Sequence, residues 1–313
     1  MGTINDLLRK MQNFRQEVES LSGKKINIIP DDKGMIDREC PKENCLTLFK
    51  VNAEDWQNLF KDEEVFCPSC RNNSPAKHYL PTSQVKILKD DVQRAIMNNW
   101  HHNIPISHSL KSLKSSEEFE LDIQCEVCNA HFSIIGAAYF CPCCGHNSIE
   151  RNAISAMEKL IYTAEHIDSI QSLLQDAHTK DDAALIAKRL IESAVSSCIG
   201  TLQSFSENKY NQLSLTPAPF NVFQNVDKSD KLWLNLKGQS YPNWLSPAEI
   251  NMLALYTQRR HLLEHKGGIV DARYLQTTND RDYSIGERLV IQPGDVIGLG
   301  KIIKKLILAI AAI

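Results

Sequence analysis

Apolar positions along this chain change period twice, and each change marks a different kind of structure. Over residues 1–20, Ile4, Leu7, Leu8, Met11, Phe14 and Val18 recur every three or four positions, with Leu21 just beyond. That spacing predicts an amphipathic helix within an N-terminal helical segment, 1–35. From about Asp37 to Asn147 the apolar residues instead sit in short alternating runs, LTLFKV and HFSI, flanked by cysteines. Alternation predicts short strands. An insert, KVNAEDWQNLFKDEE, carries Trp56, Leu59 and Phe60 and predicts a short helical turn, whereas TSQVKILKDDVQRAIMNNW predicts a full helix. HHNIPISHSLKSLKSS lacks acids and reads as a linker.

Beyond Ile149 the helical period returns, in Ile154, Met157, Leu160, Ile161, Ala164, Ile167, Ile170 and Leu174. A second helix is expected to start near Asp181 or Asp182, whose acids suit the positive end of the helix dipole, and to run through LIAKRLIESAVSSCIGTLQSF. A loop is expected from about Glu207 to Tyr241, with a helical or extended stretch over Phe220–Leu236. Ser246-Pro247-x-Glu249 combines an N-cap, a first-turn proline and a capping-box glutamate. The helix that follows carries Ile250, Leu253, Ala254 and Tyr256, then RRHLLEHK, and should stop at Gly267-Gly268. Residues 270–296 alternate around Gly286 and predict a hairpin or extended arm, with Asp271, Asp280 and Asp282 as turn and surface residues. The closing run KIIKKLILAIAAI is shorter than the roughly 20 residues of a membrane span and is interrupted by Lys301, Lys304 and Lys305. It reads as an amphipathic helix packing on a core or a partner, with no membrane role.

The cysteines occur as an internal repeat. One copy reads ECPKENCLTLFKV then VFCPSCRNNS; the other reads QCEVCNAHFSI then YFCPCCGHNS. Cys40, Cys45, Cys67 and Cys70 form one set of two close pairs, and Cys125, Cys128, Cys141 and Cys144 the other. Two pairs on two tight turns can place four thiolates around one ion, and four soft sulfurs with no open position describe a structural zinc site. The copies resemble zinc ribbons, over 36–80 and 119–148, separated by a helix and linker over 81–118. Two structural zinc ions are expected, with no catalytic metal. Cys143 competes with Cys144 on spacing, Cys198 reads as a small core residue, and His131 and His146 read as surface groups beside the knuckles.

Composition adds limits. The formal net charge is -3, from 35 Lys and Arg against 38 Asp and Glu, so a nucleic-acid site has to be a local patch. Lys42, Lys50, Arg71, Lys77 and His78 give the first ribbon basic character, opposed by Glu54, Asp55, Asp62, Glu63 and Glu64. The ribbons can therefore be read as contacts for either a nucleic-acid or a protein trigger. Ten cysteines behind a charged N-terminus without an apolar signal core point to a reducing, cytoplasmic location.

The densest basic cluster is RRHLLEHKGG. Arg259 and Lys266 complement the C-terminal end of a helix dipole, and Arg259 reads as a dimer or surface charge. His261 and His265, four apart, share a face, and Arg260 can reach round to the same anion. That trio suits metal-independent RNA cleavage: histidines move the protons, and a guanidinium fork holds the phosphate. At Arg260-His261-Leu262-Leu263-Glu264-His265 the chain resembles the HEPN family (higher eukaryotes and prokaryotes nucleotide-binding domain), a likeness covering about 149–313. The resemblance implies an all-α helical bundle, an RNA substrate, and a homodimer in which two motifs share a cleft. It further implies 2',3'-cyclic phosphate and 5'-hydroxyl products, with a toxin or anti-phage defence role. Catalytic residues carried over are Arg260, His265 and His261, with Glu192 as a supporting polar residue on the preceding long helix. The competing expectation is a non-catalytic zinc-ribbon module, binding nucleic acid or protein, that dimerises through its helical domain.

Overall fold

The computed structural model describes residues 9–16, 27–102, 112–115, 122–134 and 138–313, with side chains from 99 to 102 left aside. Residues 9–16 are helical; the rest of the helix expected over 1–20 and part of the expected linker lie outside the described residues. The chain divides into two compact units, Met1–Ser148 and Ile149–Ile313. Among the described residues, no helix is long and apolar enough to cross a membrane.

The first unit contains strands β1 (Ile28–Ile29), β2 (Met35–Glu39), β3 (Leu48–Asn52), β4 (Val65–Phe66), β5 (Asn73–Ser74), β6 (Leu113–Lys114), β7 (Asp122–Gln124) and β8 (His131–Ile134). Its helices are α1 (Ala53–Asn58) in the insert, capped by Asn52, and α2 (Thr82–His102). Two expectations are corrected here. The end of the presumed N-terminal helical segment is extended, because the Asp31 side chain accepts from the amides of Lys33 and Met35 and turns the chain into β2. The presumed linker contributes β6, which pairs in parallel with β1.

The two cysteine repeats share one four-stranded antiparallel sheet, in the order β2-β3-β8-β7. They are therefore not independent ribbons. Across the join, Phe49 faces Ile134, Lys50 faces Ser133 and Val51 faces Phe132. Phe49 and Phe132 occupy the same place in their copies, four residues after Cys45 and Cys128, so the register is symmetric about Lys50 and Ser133. The second knuckles repeat the symmetry: the Phe66 amide donates to Pro142 O at 2.9 Å, and the Phe140 amide donates to Pro68 O at 3.0 Å. Each phenylalanine precedes, and each proline follows, the first cysteine of its pair. The repeats thus meet strand edge to strand edge with two-fold symmetry, as the halves of a two-fold dimer do.

At the centre of this join Lys50 is buried rather than part of a basic surface, with its ammonium 2.5 Å from Asp31 and 3.3 Å from Asp37. A buried charge needs such partners. Around it, Ile36, Phe49, Val51, Val65, Tyr79, Ile123, Phe132 and Ile134 form a small core that incorporates cysteines from both sets.

The second unit is helical: α3 (Ile149–Glu165), α4 (Ile167–Gln175), α5 (Lys180–Leu213), α6 (Val226–Lys237), α7 (Tyr241–Trp244), α8 (Pro247–His265), α9 (Ala272–Thr278) and α10 (Pro293–Ala311). Caps set several of these boundaries. The Thr179 hydroxyl accepts from the Asp182 amide at the start of α5, and Ser246 with Glu249 forms the expected capping box at α8. Gly267 and Gly268 both take positive φ, 61° and 80°, and end α8. The expected loop over 207–241 is largely helical, because α5 continues to Leu213 and Asn225 caps α6. The expected extended arm contains α9, started by Asp271, whose side chain accepts from the Tyr274 amide.

Helix α10 is the spine of this unit and packs on α3 and α5. Its buried stripe is Val296, Leu299, Ile302, Ile303, Leu306, Ile307 and Ile310. At Gly300 a Cβ atom would stand 2.7 Å from Ile161 Cγ1, so glycine is what lets α10 approach α3. Leu306 is fully buried and Leu308 is 46 % exposed. Leu306→Ala is therefore expected to destabilise the unit by about 2–5 kcal/mol. Leu308→Ala should stay within about 0.5 kcal/mol of the parent. Urea unfolding of the two variants checks the contrast.

Candidate metal centres and candidate active site

Each cysteine pair is built on the same turn. In all four, the amide of the first cysteine donates to the carbonyl two residues beyond the second: Cys40 to Thr47, Cys67 to Asn72, Cys125 to Ala130 and Cys141 to His146, at 2.8–3.0 Å. The residue after each second cysteine is left-handed: Leu46 at φ 48°, Arg71 at 59°, Asn129 at 60° and Gly145 at 67°. For leucine and arginine this backbone is unfavourable by roughly 1–2 kcal/mol, which ligation at the adjacent sulfur can offset.

The turns bring together Cys40, Cys45, Cys67 and Cys70 in one cluster and Cys125, Cys128, Cys141 and Cys144 in the other, with all sulfurs of a set within 4.8 Å. The Cys40–Cys70, Cys45–Cys67 and Cys125–Cys144 separations are 3.8 Å, and Cys128–Cys141 is 3.5 Å. A tetrahedron of about 2.3 Å metal–sulfur bonds has edges of about 3.8 Å, whereas a disulfide needs about 2.0 Å. The donor sets thus fit a tetrahedral metal ion. Cys143 lies outside its set, with its thiol on the Leu59 carbonyl at 3.4 Å, and Cys144 is the ligand-positioned residue. Burial pushes the Cys67 and Cys144 thiols up to about 11. At Cys45 burial also raises the thiol, but hydrogen bonds from Thr47 and the neighbouring cysteines outweigh it and bring it to about 7. His131 and His146 pair with Asp55 and Glu126 rather than with the sulfurs. Cys198 is fully buried in the helical core.

In the helical unit, Arg260, His261 and His265 line one cleft of about 190 Å³, with Gln224, Thr257, Gln258, Leu262, Asp271, Arg273 and Tyr274. Arg260 Nη1 donates to Gln224 Oε1 at 2.6 Å, while its buried Nε has no hydrogen-bond partner. The imidazoles of His261 and His265 have centroids 4.9 Å apart. His261 is held below the ordinary histidine value, first by burial and then by the positive charge of His265 and Arg273, against an opposing pull from Asp271. An imidazole whose neutral form is favoured, a second imidazole and a guanidinium lining one cleft can accept a proton, donate one and hold an anion.

Three neighbours are placed differently from expectation. Arg259 is buried rather than a surface charge: its Nη2 donates to Asp280 at 2.9 Å, and Tyr274 and Tyr256 take Nε and Nη1 at 3.2 and 3.3 Å. Asp280 is likewise not a surface residue, because it also accepts from the Tyr274 hydroxyl at 2.5 Å. Glu192 is buried and outside the cleft lining, with its two carboxylate oxygens on Arg288 at 2.6 and 3.0 Å. Lys266 is the C-cap of α8. Gln224, Asp271, Arg273 and Tyr274 were not anticipated at the site. Only the N-cap pattern at Asp271 carried a local signal; the others reach the cleft through tertiary folding.

No protein family, curated protein or solved structure matches this chain.

Metal analysis of the purified chain should give two ions, falling to one in Cys144→Ser and remaining two in Cys143→Ser. Acidification should release both, because thiolate ligands must be deprotonated. Separately, Asp280→Ala leaves Arg259 buried without a carboxylate and should destabilise the helical unit by about 3–5 kcal/mol, against near neutrality for exposed Asp282→Ala. Burial alone would raise the Asp280 carboxyl, but hydrogen bonds from Tyr274 and Arg259 lower it below its ordinary value. Its contribution is therefore complete above about pH 4 and lost as pH falls through the folded-state value. Urea midpoints of parent and Asp280→Ala should converge in acid.

Proposed function

We propose that this chain is a metal-independent endoribonuclease of HEPN type whose N-terminal unit is held together by two structural zinc ions. The observation that carries the reading is the convergence of Arg260, His261 and His265 on one cleft. His261, kept neutral, takes the proton from a ribose 2'-hydroxyl. The freed oxygen attacks the adjacent phosphorus, and Arg260 holds the charge that builds on the phosphate oxygens. His265 protonates the departing 5'-oxygen. The bond to that oxygen breaks as the cyclic ester forms, leaving 2',3'-cyclic phosphate and 5'-hydroxyl ends. No redox partner or metal enters this balance.

Zinc is assigned to the clusters because four thiolates at separations that suit a tetrahedral ion match its preferences and would leave no position for substrate. A second copy of the helical unit supplies the other half of the cleft in this reading, and the resemblance to the HEPN family, rather than the chemistry, suggests a toxin or anti-phage defence role.

Brief EDTA treatment followed by incubation with RNA tests the chemistry, with circular dichroism to verify the fold. Cleavage with 5'-hydroxyl ends should survive chelation and fall at least about 100-fold in Arg260→Ala and His265→Ala. The acid limb of the kcat/KM profile should lie below the ordinary histidine value and shift in variants that remove a neighbouring cation, since the base must be deprotonated to act. Intact RNA, or equal cleavage by all variants, overturns the nuclease reading and leaves a dimerising binding module.

A further inference from the structure

The cleft holds more positive charge than cleavage of one phosphodiester requires. Arg260 on α8 serves the reacting phosphate, yet Arg273 on α9 lines the same space. The Arg273 guanidinium is exposed and has no ion-pair partner among the described residues. Asp271 is the one carboxylate lining the cleft, and it is engaged as the N-cap of α9, accepting from the Tyr274 amide at 2.9 Å. An arginine left without a counter-ion beside a second arginine and two histidines is arranged for an anion from outside.

Arg273 is also fixed in place. The next residue, Tyr274, is buried, with its hydroxyl clamped between Arg259 and Asp280. Arg259 in turn immediately precedes Arg260 on α8. One buried cluster therefore sets the backbone positions of both cleft arginines relative to each other. The Arg273 charge is near enough to contribute to holding His261 neutral, which places it beside the reacting groups without a proton to move.

We propose that Arg273 binds the phosphate neighbouring the scissile one, so that the cleft takes a single-stranded oligonucleotide through two consecutive phosphates. This deepens the ribonuclease reading and rests on it for the position of the scissile phosphate. Arg273 acts as a substrate-binding residue, and a dinucleoside monophosphate, with one phosphate, cannot use it.

Two measurements on the full chain test the assignment. The first is binding of a non-cleavable, fluorescent single-stranded 2'-deoxyoligonucleotide across a salt series. Arg273→Ala should bind about tenfold more weakly, with a salt slope shallower by about 0.7, and Arg273→Lys should recover the slope. The second is cleavage kinetics. At a pH above the acid limb, Arg273→Ala should raise KM about tenfold on an oligoribonucleotide and leave KM unchanged on a dinucleoside monophosphate, whereas Arg260→Ala lowers kcat on both. The acid limb itself should move up in Arg273→Ala on either substrate, because a cation beside His261 is lost. A wild-type salt slope in Arg273→Ala, or no binding by the wild type, overturns the phosphate assignment. So does an equal loss on the one-phosphate substrate. A reduced slope in a protein that cleaves neither RNA keeps the Arg273 contact and overturns the nuclease reading, so the two failures are separable. Arg273 is exposed, so an unchanged thermal midpoint is expected and verifies that the variant folds.

Discussion

A charge taken out of water has to find a partner, and in the helical unit this requirement decides which way two adjacent arginines point. Arg259 and Arg260 are one residue apart, about 100° round the helix. Arg259 turns inward because Tyr256, Tyr274 and Asp280 can satisfy its guanidinium there. With that direction taken, Arg260 faces the cleft, and His261 and His265 lie close beside it. Two of these partners, Tyr274 and Asp280, come from the segment after Gly267-Gly268, so the burial of Arg259 also folds α9 back against α8. Leu262, Val270, Tyr274 and Leu289 close a small apolar core beneath this contact. The cleft is therefore the outer side of a packing solution, and its shape depends on residues that never touch the cavity.

The same requirement works differently in the first unit. A small β domain buries too little apolar surface to fold on its core alone. Here the remedy is repetition: four turns closed by the same amide–carbonyl bond, two thiolate clusters, and one sheet paired symmetrically about Lys50 and Ser133. Lys50 is satisfied by Asp31 and Asp37, which come from the chain preceding the first cysteine. The two clusters consequently share a core and a sheet, and loss of metal from one should loosen strands that belong to the other. A trigger recognised by this unit would meet one body with two related faces.

The sequence made some of this legible and hid the rest for identifiable reasons. Local signals held: the capping box at Ser246, the Gly267-Gly268 stop, the short helix in the insert and the spacing of the eight cysteines all act within a few residues. The internal repeat was visible, but its two-fold pairing was not, because strand register between copies depends on contacts more than eighty residues apart. Arg259, Lys50 and Asp280 were misplaced on the surface for one shared reason. A charged side chain looks solvated in sequence, and only the folded chain shows the partner that allows its burial. Segment 270–296 was read by its alternation, while the N-cap at Asp271 favoured a short helix. Glu192 had no local signature, and its engagement by Arg288 depends on a contact spanning the unit.

The location of the cleft has a further consequence. A helix C-terminus carries partial negative charge, so the end of α8 repels an anion unless side chains overcome it. Backbone amides, which cradle phosphate at helix N-termini, are not available there. A phosphate in this cleft would have to be held by side chains, which accounts for cations drawn from two elements rather than one. The helix end also favours a charged imidazole, yet His261 is pulled the other way by burial and by its cationic neighbours. Bringing α9 against α8 thus does two things at once: it supplies the second arginine, and it keeps one histidine neutral beside the first. A site placed at a helix N-terminus would bind phosphate more readily, but it would lack the cationic neighbours that help hold one imidazole below its ordinary value.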